Sequence, residues 1–233
     1  MSLCGYQLIT LPRLYPILST NALEKLNIDL EQAATELLEA GIEILQLRHK
    51  GHWSARLFTQ AEWLQRQCQQ ADVQFVINDR ADIARILGAA LHIGQDDLSP
   101  ADARSVIGPD LLLGYSTHNE AQFVEADSEP VNYLALGPIF GTSSKENPDP
   151  TVGCAELARI RPLTQKPVVA IGGIHLQNVA QVFEAGADSV AIISGLLSDP
   201  NHIRETTEKW LKTLNRLPIR NWSKDWDCLT PPR

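Results

Sequence analysis

The chain has 233 residues, 44% of them hydrophobic and 21% charged, which is enough for one sizeable core. With a net charge of −8 no basic surface advertises nucleic-acid binding, so an anionic ligand must be met by local cations. No uninterrupted apolar run is long enough to span a membrane, and residues 1–12 lack the basic-then-apolar pattern of a secretory signal.

Short apolar runs alternate with helical patterns along the chain. Leu14–Leu18 reads as a first strand. Asp29 is placed to cap a helix in which Leu30, Ala33, Ala34, Leu37 and Leu38 recur at helical spacing, and Gly41 ends it. Ile42–Leu47 is the second strand, and Ser54 caps a helix with Leu57, Phe58, Ala61 and Leu64 on one face. Val73–Ile77 is the third, followed by a short helix over 81–87, and Leu91–Ile93 is the fourth. Ser99-Pro100 opens the next helix, with Pro in its first turn. Leu111–Gly114 is the fifth strand, with Asn119 capping the helix after it, and Tyr133–Leu136 is the sixth. A long Gly/Ser/Pro-rich loop occupies 137–153. Pro167–Ile171 and Ser189–Ile193 are the seventh and eighth strands, and a last helix covers about 201–214.

Eight Val/Ile/Leu-rich strands alternating with helices imply a parallel sheet buried on both faces. Eight repeats in about 200 residues fit a closed (β/α)₈ TIM barrel better than the alternative, an open doubly wound sheet. One barrel domain is expected over 1–214, with 215–233 as a C-terminal tail. The four cysteines (Cys4, Cys68, Cys154, Cys228) are scattered without CxxC spacing, which reads as reduced thiols of a cytoplasmic protein.

In such a barrel the chemistry sits where strands end. Asn78 and Asp79 follow the third strand and Asp97 follows the fourth, so two carboxylates are expected to face each other across a pocket. Carboxylates in that position repel unless a cation or proton lies between them, and oxygen ligands near phosphate suit Mg²⁺. The competing role for these residues is capping of the helices that follow. Gln46, Arg48 and Lys50 alternate at the end of the second strand and can form an anion site; the alternative is a solvated charged rim. Ser116 can donate to a phosphate oxygen or cap a turn. Gly172-Gly173 after the seventh strand and Ile193-Ser194-Gly195 after the eighth lie where barrels often hold a phosphate. Thr142, Ser143, Ser144 and Lys145 in the long loop supply hydroxyls and an ammonium that could close over one, or form only a solvated loop. Asp82, Asp96, His92, His175 and His202 carry no spacing that marks them for chemistry.

The stretches QLRHK (46–50), INDR (77–80), HIGQDDL (92–98), GYSTH (114–118), GPIFGTSSK (137–145), AIGGI (170–174) and IISG (192–195) together resemble the thiamine phosphate synthase family, in order and over about residues 14–214. The resemblance implies a transferase that joins hydroxymethylpyrimidine diphosphate to hydroxyethylthiazole phosphate, releasing diphosphate. It puts the pyrimidine diphosphate on Gln46, Arg48, Lys50, Asn78, Ser116 and Lys145, and Mg²⁺ on Asp79 and Asp97. Thiazole phosphate falls to Thr142, Ser143, Ser144, Gly173, Ile193 and Ser194. Arg48, Lys50, Lys145 and Ser116 are the expected catalytic groups, because the thiazole nitrogen is itself the nucleophile and the protein's task is to stabilise the departing diphosphate. Its partners are these small molecules; a homo-oligomer is compatible with the sequence. This chain departs from the family in having His49 where Glu is usual, in a segment 88–92 one residue shorter than GADGVH, and in GTSSK for PTxTK.

Two other readings use the same residues. A thiazole tautomerase-like isomerase fits IISG and the altered loop, but that branch tends to lack the paired carboxylates. A non-catalytic barrel that binds thiazole or thiamine phosphates has no need of Arg48, Lys50, Asp79 and Asp97 together.

Overall fold

Eight parallel strands close on themselves in sequence order, β1 to β8, each hydrogen-bonded to the next and β8 to β1. A computed structural model describes residues 10–142 and 149–218. The strands are β1 Leu14–Ser19, β2 Ile44–Arg48, β3 Gln74–Asn78, β4 Ala90–Ile93, β5 Leu113–Thr117, β6 Tyr133–Leu136, β7 Val168–Ile171 and β8 Ser189–Ile192. Among the described residues the helices are α1 Thr20–Leu26, α2 Leu30–Glu39, α3 Ala55–Gln70, α4 Ala81–Leu87, α5 Pro100–Ile107, α6 Glu120–Asp127, α7 Gly153–Ile160, α8 Val179–Glu184, α9 Ser194–Leu197 and α10 Ile203–Leu214. This is the expected (β/α)₈ barrel.

The start signals read from the sequence are used as helix caps. Asp29, Ser54, Ser99 and Asn119 each accept a hydrogen bond from the backbone N–H three residues on, filling donors that the first helical turn leaves open. The short helices α1 and α9 were not expected. α1 follows directly on β1 and α9 starts one residue after β8, and each has too few residues to show a helical period. Four strands reach further than their apolar runs: Ser19, Arg48, Asn78 and Ser116-Thr117 are polar, yet they continue β1, β2, β3 and β5. Pairing carries them, as with Asn78 opposite His92 and Thr117 opposite Leu136.

Alternation along the strands sorts side chains into two cores. Leu45, Leu47, Ile77, Leu91, Leu134 and Val190 point outward into the layer shared with the helices. Tyr15, Ile17, Ile44, Val76, Ala90, Tyr133, Ala135, Val169 and Ala191 point inward and fill the barrel. The same period carries Gln46, Asn78, His92 and Ser116 inward, one step further towards the C-terminal ends. Among the described residues no helix is long and apolar enough to cross a membrane.

Gly114 makes room inside the barrel. A Cβ there would lie 2.0 Å from Cζ of Tyr133, whose ring fills that space. Overpacking a rigid interior costs about 1–3 kcal/mol, more when a large ring cannot move. Gly114→Ala is therefore expected to lower the unfolding free energy by that amount at least, read from the shift of the urea midpoint at constant slope by circular dichroism.

Candidate active site

Asp79 and Asp97 meet at the C-terminal mouth of the barrel, close enough for each carboxyl to act on the other. Neither caps a helix. The N-cap of α4 is Arg80, without a side-chain bond, and that of α5 is Ser99. Asp97 instead folds back to accept the Gly94 N–H at 2.7 Å, which turns its carboxylate over the end of β4. Asp79 has φ of +66°, a left-handed conformation that Asp and Asn tolerate better than most residues. Its backbone N–H donates to the carbonyl of His92 at 2.8 Å, which fastens the end of β3 to β4. Burial and the facing Asp97 push the Asp79 carboxyl up to about 6, although Lys50 Nζ, 2.5 Å from its Oδ2, pulls the other way. Asp79 is therefore held between a second carboxylate and a single ammonium.

Arg48 and Lys50 rise from β2 beside this pair, and both cations act on the buried His92 ring. Lys50 is half exposed at the rim. Asn78, one residue before Asp79, is buried, and its Nδ2 has no hydrogen-bond partner among the described residues. A buried amide donor without a partner costs free energy, so Asn78 is poised for an acceptor brought by a ligand.

The buried residues below connect to this mouth through side chains that the sequence did not mark. Gln46 Nε2 donates to Tyr15 Oη at 3.0 Å, and Tyr15 Oη lies 2.8 Å from Tyr133 Oη. Tyr133 Oη lies 3.1 Å from His92 Nδ1, and His92 Nε2 lies 2.8 Å from Ser116 Oγ. His92 also stacks on Tyr133, with centroids 5.6 Å apart. Period-two spacing from the apolar Ala90 puts His92 inside, and that was the available signal.

The opposite side of the mouth is built from β6, β7 and β8. Past β6 the chain runs along the end of β7: Ile139 N–H donates to the Ile171 carbonyl at 2.9 Å, and Phe140 N–H to that of Gly172 at 3.0 Å. Val152 and Gly153 then bond back to Pro138 and Ile139, so the long loop leaves and returns at one place. Gly173, at φ +62°, lies under this turn; a Cβ there would be 2.5 Å from the Gly141 carbonyl oxygen and 2.7 Å from Phe140 Cβ. The glycine thus admits the loop, and its substitution moves the segment leading into Thr142 before it obstructs any ligand. Ile193 and the exposed Ser194 follow β8, next to β7 in the barrel. Gly173, Thr142, Ile193 and Ser194 are thereby gathered on adjacent strand ends. Ser143, Ser144 and Lys145 lie outside the described residues.

A family described as thiamine monophosphate synthase matches residues 14–196, from the first strand to the turn after the eighth. The chain belongs to the thiamine monophosphate synthase family. A thiamine-phosphate synthase of Koribacter versatilis is 45% identical over 210 residues, covering 89% of this chain and 98% of that one. One from Persephonella marina is 34% identical over 182 residues, covering 78% and 86%. Among solved structures, a thiamine phosphate pyrophosphorylase from Pyrococcus furiosus superposes with a TM-score of 0.76 at 28% identity, over 87% of this chain and 95% of that one.

His49 is held by local contacts in this member of the thiamine monophosphate synthase family. The ring bonds Thr20 Oγ1 through Nδ1 at 2.8 Å and the His52 carbonyl through Nε2 at 3.2 Å, and it packs edge-on against Trp53. It thus ties the segment after β2 to the start of α1.

The raised Asp79 carboxyl has a consequence for stability. A group that holds its proton more tightly when folded stabilises the fold at low pH, and that contribution is lost as pH rises through its folded pKa. Metal-free protein should therefore lose stability between about pH 4 and 6 on account of Asp79. Asp79→Asn keeps the size and the left-handed backbone without the charge. Thermal melts in chelator should show it matching wild type near pH 4 and exceeding it near pH 8 by about 1–2 kcal/mol, with solvent screening allowed for.

Proposed function

We propose that the two sides of this barrel mouth hold the two substrates of the family's coupling reaction. The chain is a transferase of the thiamine phosphate synthase type, joining hydroxymethylpyrimidine diphosphate to hydroxyethylthiazole phosphate. The observation that supports the assignment of residues is the apposition of Asp79 and Asp97 beside Arg48 and Lys50. In this reading Gln46, Arg48, Lys50, Asn78, Ser116 and Lys145 take the pyrimidine diphosphate. Thr142, Ser143, Ser144, Gly173, Ile193 and Ser194 take the thiazole phosphate.

Asp79 and Asp97 suit Mg²⁺. Among the described residues no group of three or more His, Cys, Asp or Glu side chains could hold a metal. Mg²⁺ does not need one, because it is commonly held by one or two carboxylates together with substrate phosphate and water. When bound it would draw charge from the diphosphate as that group leaves. Lys50, paired with Asp79 here, would be free to meet the diphosphate once that carboxylate held a metal. The thiazole nitrogen forms its bond to the pyrimidine methylene carbon while the bond from that carbon to the diphosphate oxygen breaks, the electron pair leaving with the oxygen. Arg48 and Lys50 meet the growing negative charge, and Asn78 Nδ2 offers the donor left without a partner. No side chain has to act as nucleophile or general base. Isomerisation of thiazole phosphate alone would leave the acids and cations of β2, β3 and β4 without work.

Mixing both substrates and following diphosphate release, with and without Mg²⁺, tests this reading. Arg48→Ala and Lys50→Ala should each lower turnover by about a hundredfold, the order expected for losing one group that stabilises transition-state charge. Near-wild-type turnover in both would return them to a solvated rim. Asp79→Asn should turn over slowly and recover in part at higher Mg²⁺; full activity of that variant in excess chelator would overturn the metal assignment. On the other side, Gly173→Ala should raise the Michaelis constant for thiazole phosphate more than that for the pyrimidine diphosphate. Equal effects on both would count against the division of the mouth.

A further inference from the structure

The hydrogen-bonded chain Gln46–Tyr15–Tyr133–His92–Ser116 crosses the barrel interior through β2, β1, β6, β4 and β5. Its two ends are residues assigned above to the pyrimidine diphosphate; its three middle members are themselves assigned to no ligand. Tyr15, Tyr133 and His92 are all buried. Each phenol has one hydrogen to donate, so the direction of the whole chain follows from one end.

Gln46 donates from Nε2 to Tyr15 Oη. If Tyr133 also donated to Tyr15, the Tyr15 hydrogen would be buried without an acceptor, which is the costly arrangement. Every hydrogen finds an acceptor when Tyr15 donates to Tyr133 and Tyr133 donates to His92 Nδ1. That nitrogen must then be unprotonated, so the imidazole proton is on Nε2 and points at Ser116 Oγ, 2.8 Å away. Ser116 already accepts, and its own hydrogen is turned away from His92 towards the barrel mouth. The reverse direction would need the Gln46 amide turned over. It would put the imidazole proton on Nδ1 and leave Ser116 with only lone pairs to offer.

We propose that Tyr15, Tyr133 and His92 are positioning residues that transmit the orientation of the Gln46 amide to Ser116 and present Ser116 as a hydrogen-bond donor to the pyrimidine diphosphate. The kinetic part of this inference rests on the substrate assignment above; the direction of the relay does not. Gln46, with Nε2 committed to Tyr15, has its carbonyl oxygen left for the ligand. The two ends of the chain therefore offer one acceptor and one donor in a set pairing. A substrate with the opposite pattern would have to reverse every hydrogen bond between them. Gly114 belongs to the same device, since its missing side chain is what admits the Tyr133 ring.

Nitrogen NMR on uniformly labelled protein tests the direction. The side-chain signals of His92, assigned by their loss in His92→Gln, should show the proton on Nε2 in the wild type. In Tyr133→Phe, which keeps the ring and removes the donor to Nδ1, the Nδ1 signal should move to that of an imidazole nitrogen without a hydrogen bond and the preference for Nε2 should weaken. Protonation on Nδ1 in the wild type would overturn the relay. Kinetics tests the consequence. Tyr133→Phe and Ser116→Ala should each lower kcat by about tenfold, with the Michaelis constant for thiazole phosphate within about twofold. The double variant should be no slower than the slower single one, because both break one chain; multiplied losses would overturn the relay. Tyr15→Phe cuts the same chain at another place and should lower kcat in the same sense, so the test survives if Tyr133→Phe folds poorly. Wild-type turnover by Ser116→Ala would overturn the substrate assignment of Ser116 and with it the kinetic consequence, and the NMR result would still decide the direction of the relay.

Discussion

A strand in a closed parallel barrel has two directions for its side chains, inward or outward, and neighbouring strands must agree in register. The active site depends on that constraint. Gln46 is level with Val76, Asn78 with His92, His92 with Gly114, and Gly114 with Tyr133. Those pairings bring polar residues from separate strands together at the upper end of a barrel that lower down is filled by Ile44, Val76, Val169 and Ala191. A slip of one residue on β3 would send Asn78 outward into the helix layer and replace it inside by Ile77.

The mouth divides by strand. β2, β3 and β4 bring cations, the buried Asn78 amide and two acids to one side; β6, β7 and β8 bring glycines and hydroxyls to the other. The acids are held by backbone rather than by their counter-ion: Asp97 by the Gly94 N–H, and Asp79 by its own left-handed turn and by the His92 carbonyl. Lys50 is therefore able to exchange partners while the carboxylates stay in place. Such pre-organisation matters in a reaction whose demand on the protein is to stabilise a departing anion.

Membership of the thiamine monophosphate synthase family and the geometry agree without being the same argument. The family match spans the barrel from β1 to the start of α9. The geometry adds which groups touch: it removes the capping role for Asp79 and Asp97, shows that Gly173 makes space for the Phe140–Gly141 turn, and ties His49 to Thr20.

The sequence by itself determined the eight-fold alternation, the four helix caps, and the placement of Asp79, Asp97, Arg48 and Ser116 at strand ends. These are local properties: a hydrophobic period, a capping residue, or a polar residue following an apolar run is visible in a short window. The tertiary structure decided that Arg48, Asn78 and Ser116 lie within strands, because a neighbour's register extends pairing past the apolar run. It also decided that Tyr15, Tyr133 and His92 join Gln46 to Ser116. Those residues come from strands far apart in the chain, Tyr15 and Tyr133 by 118 positions, and each alone looks like ordinary barrel filling. Barrel closure sets their hydroxyls and ring nitrogens within hydrogen-bonding distance, and no local pattern encodes a distance between strands.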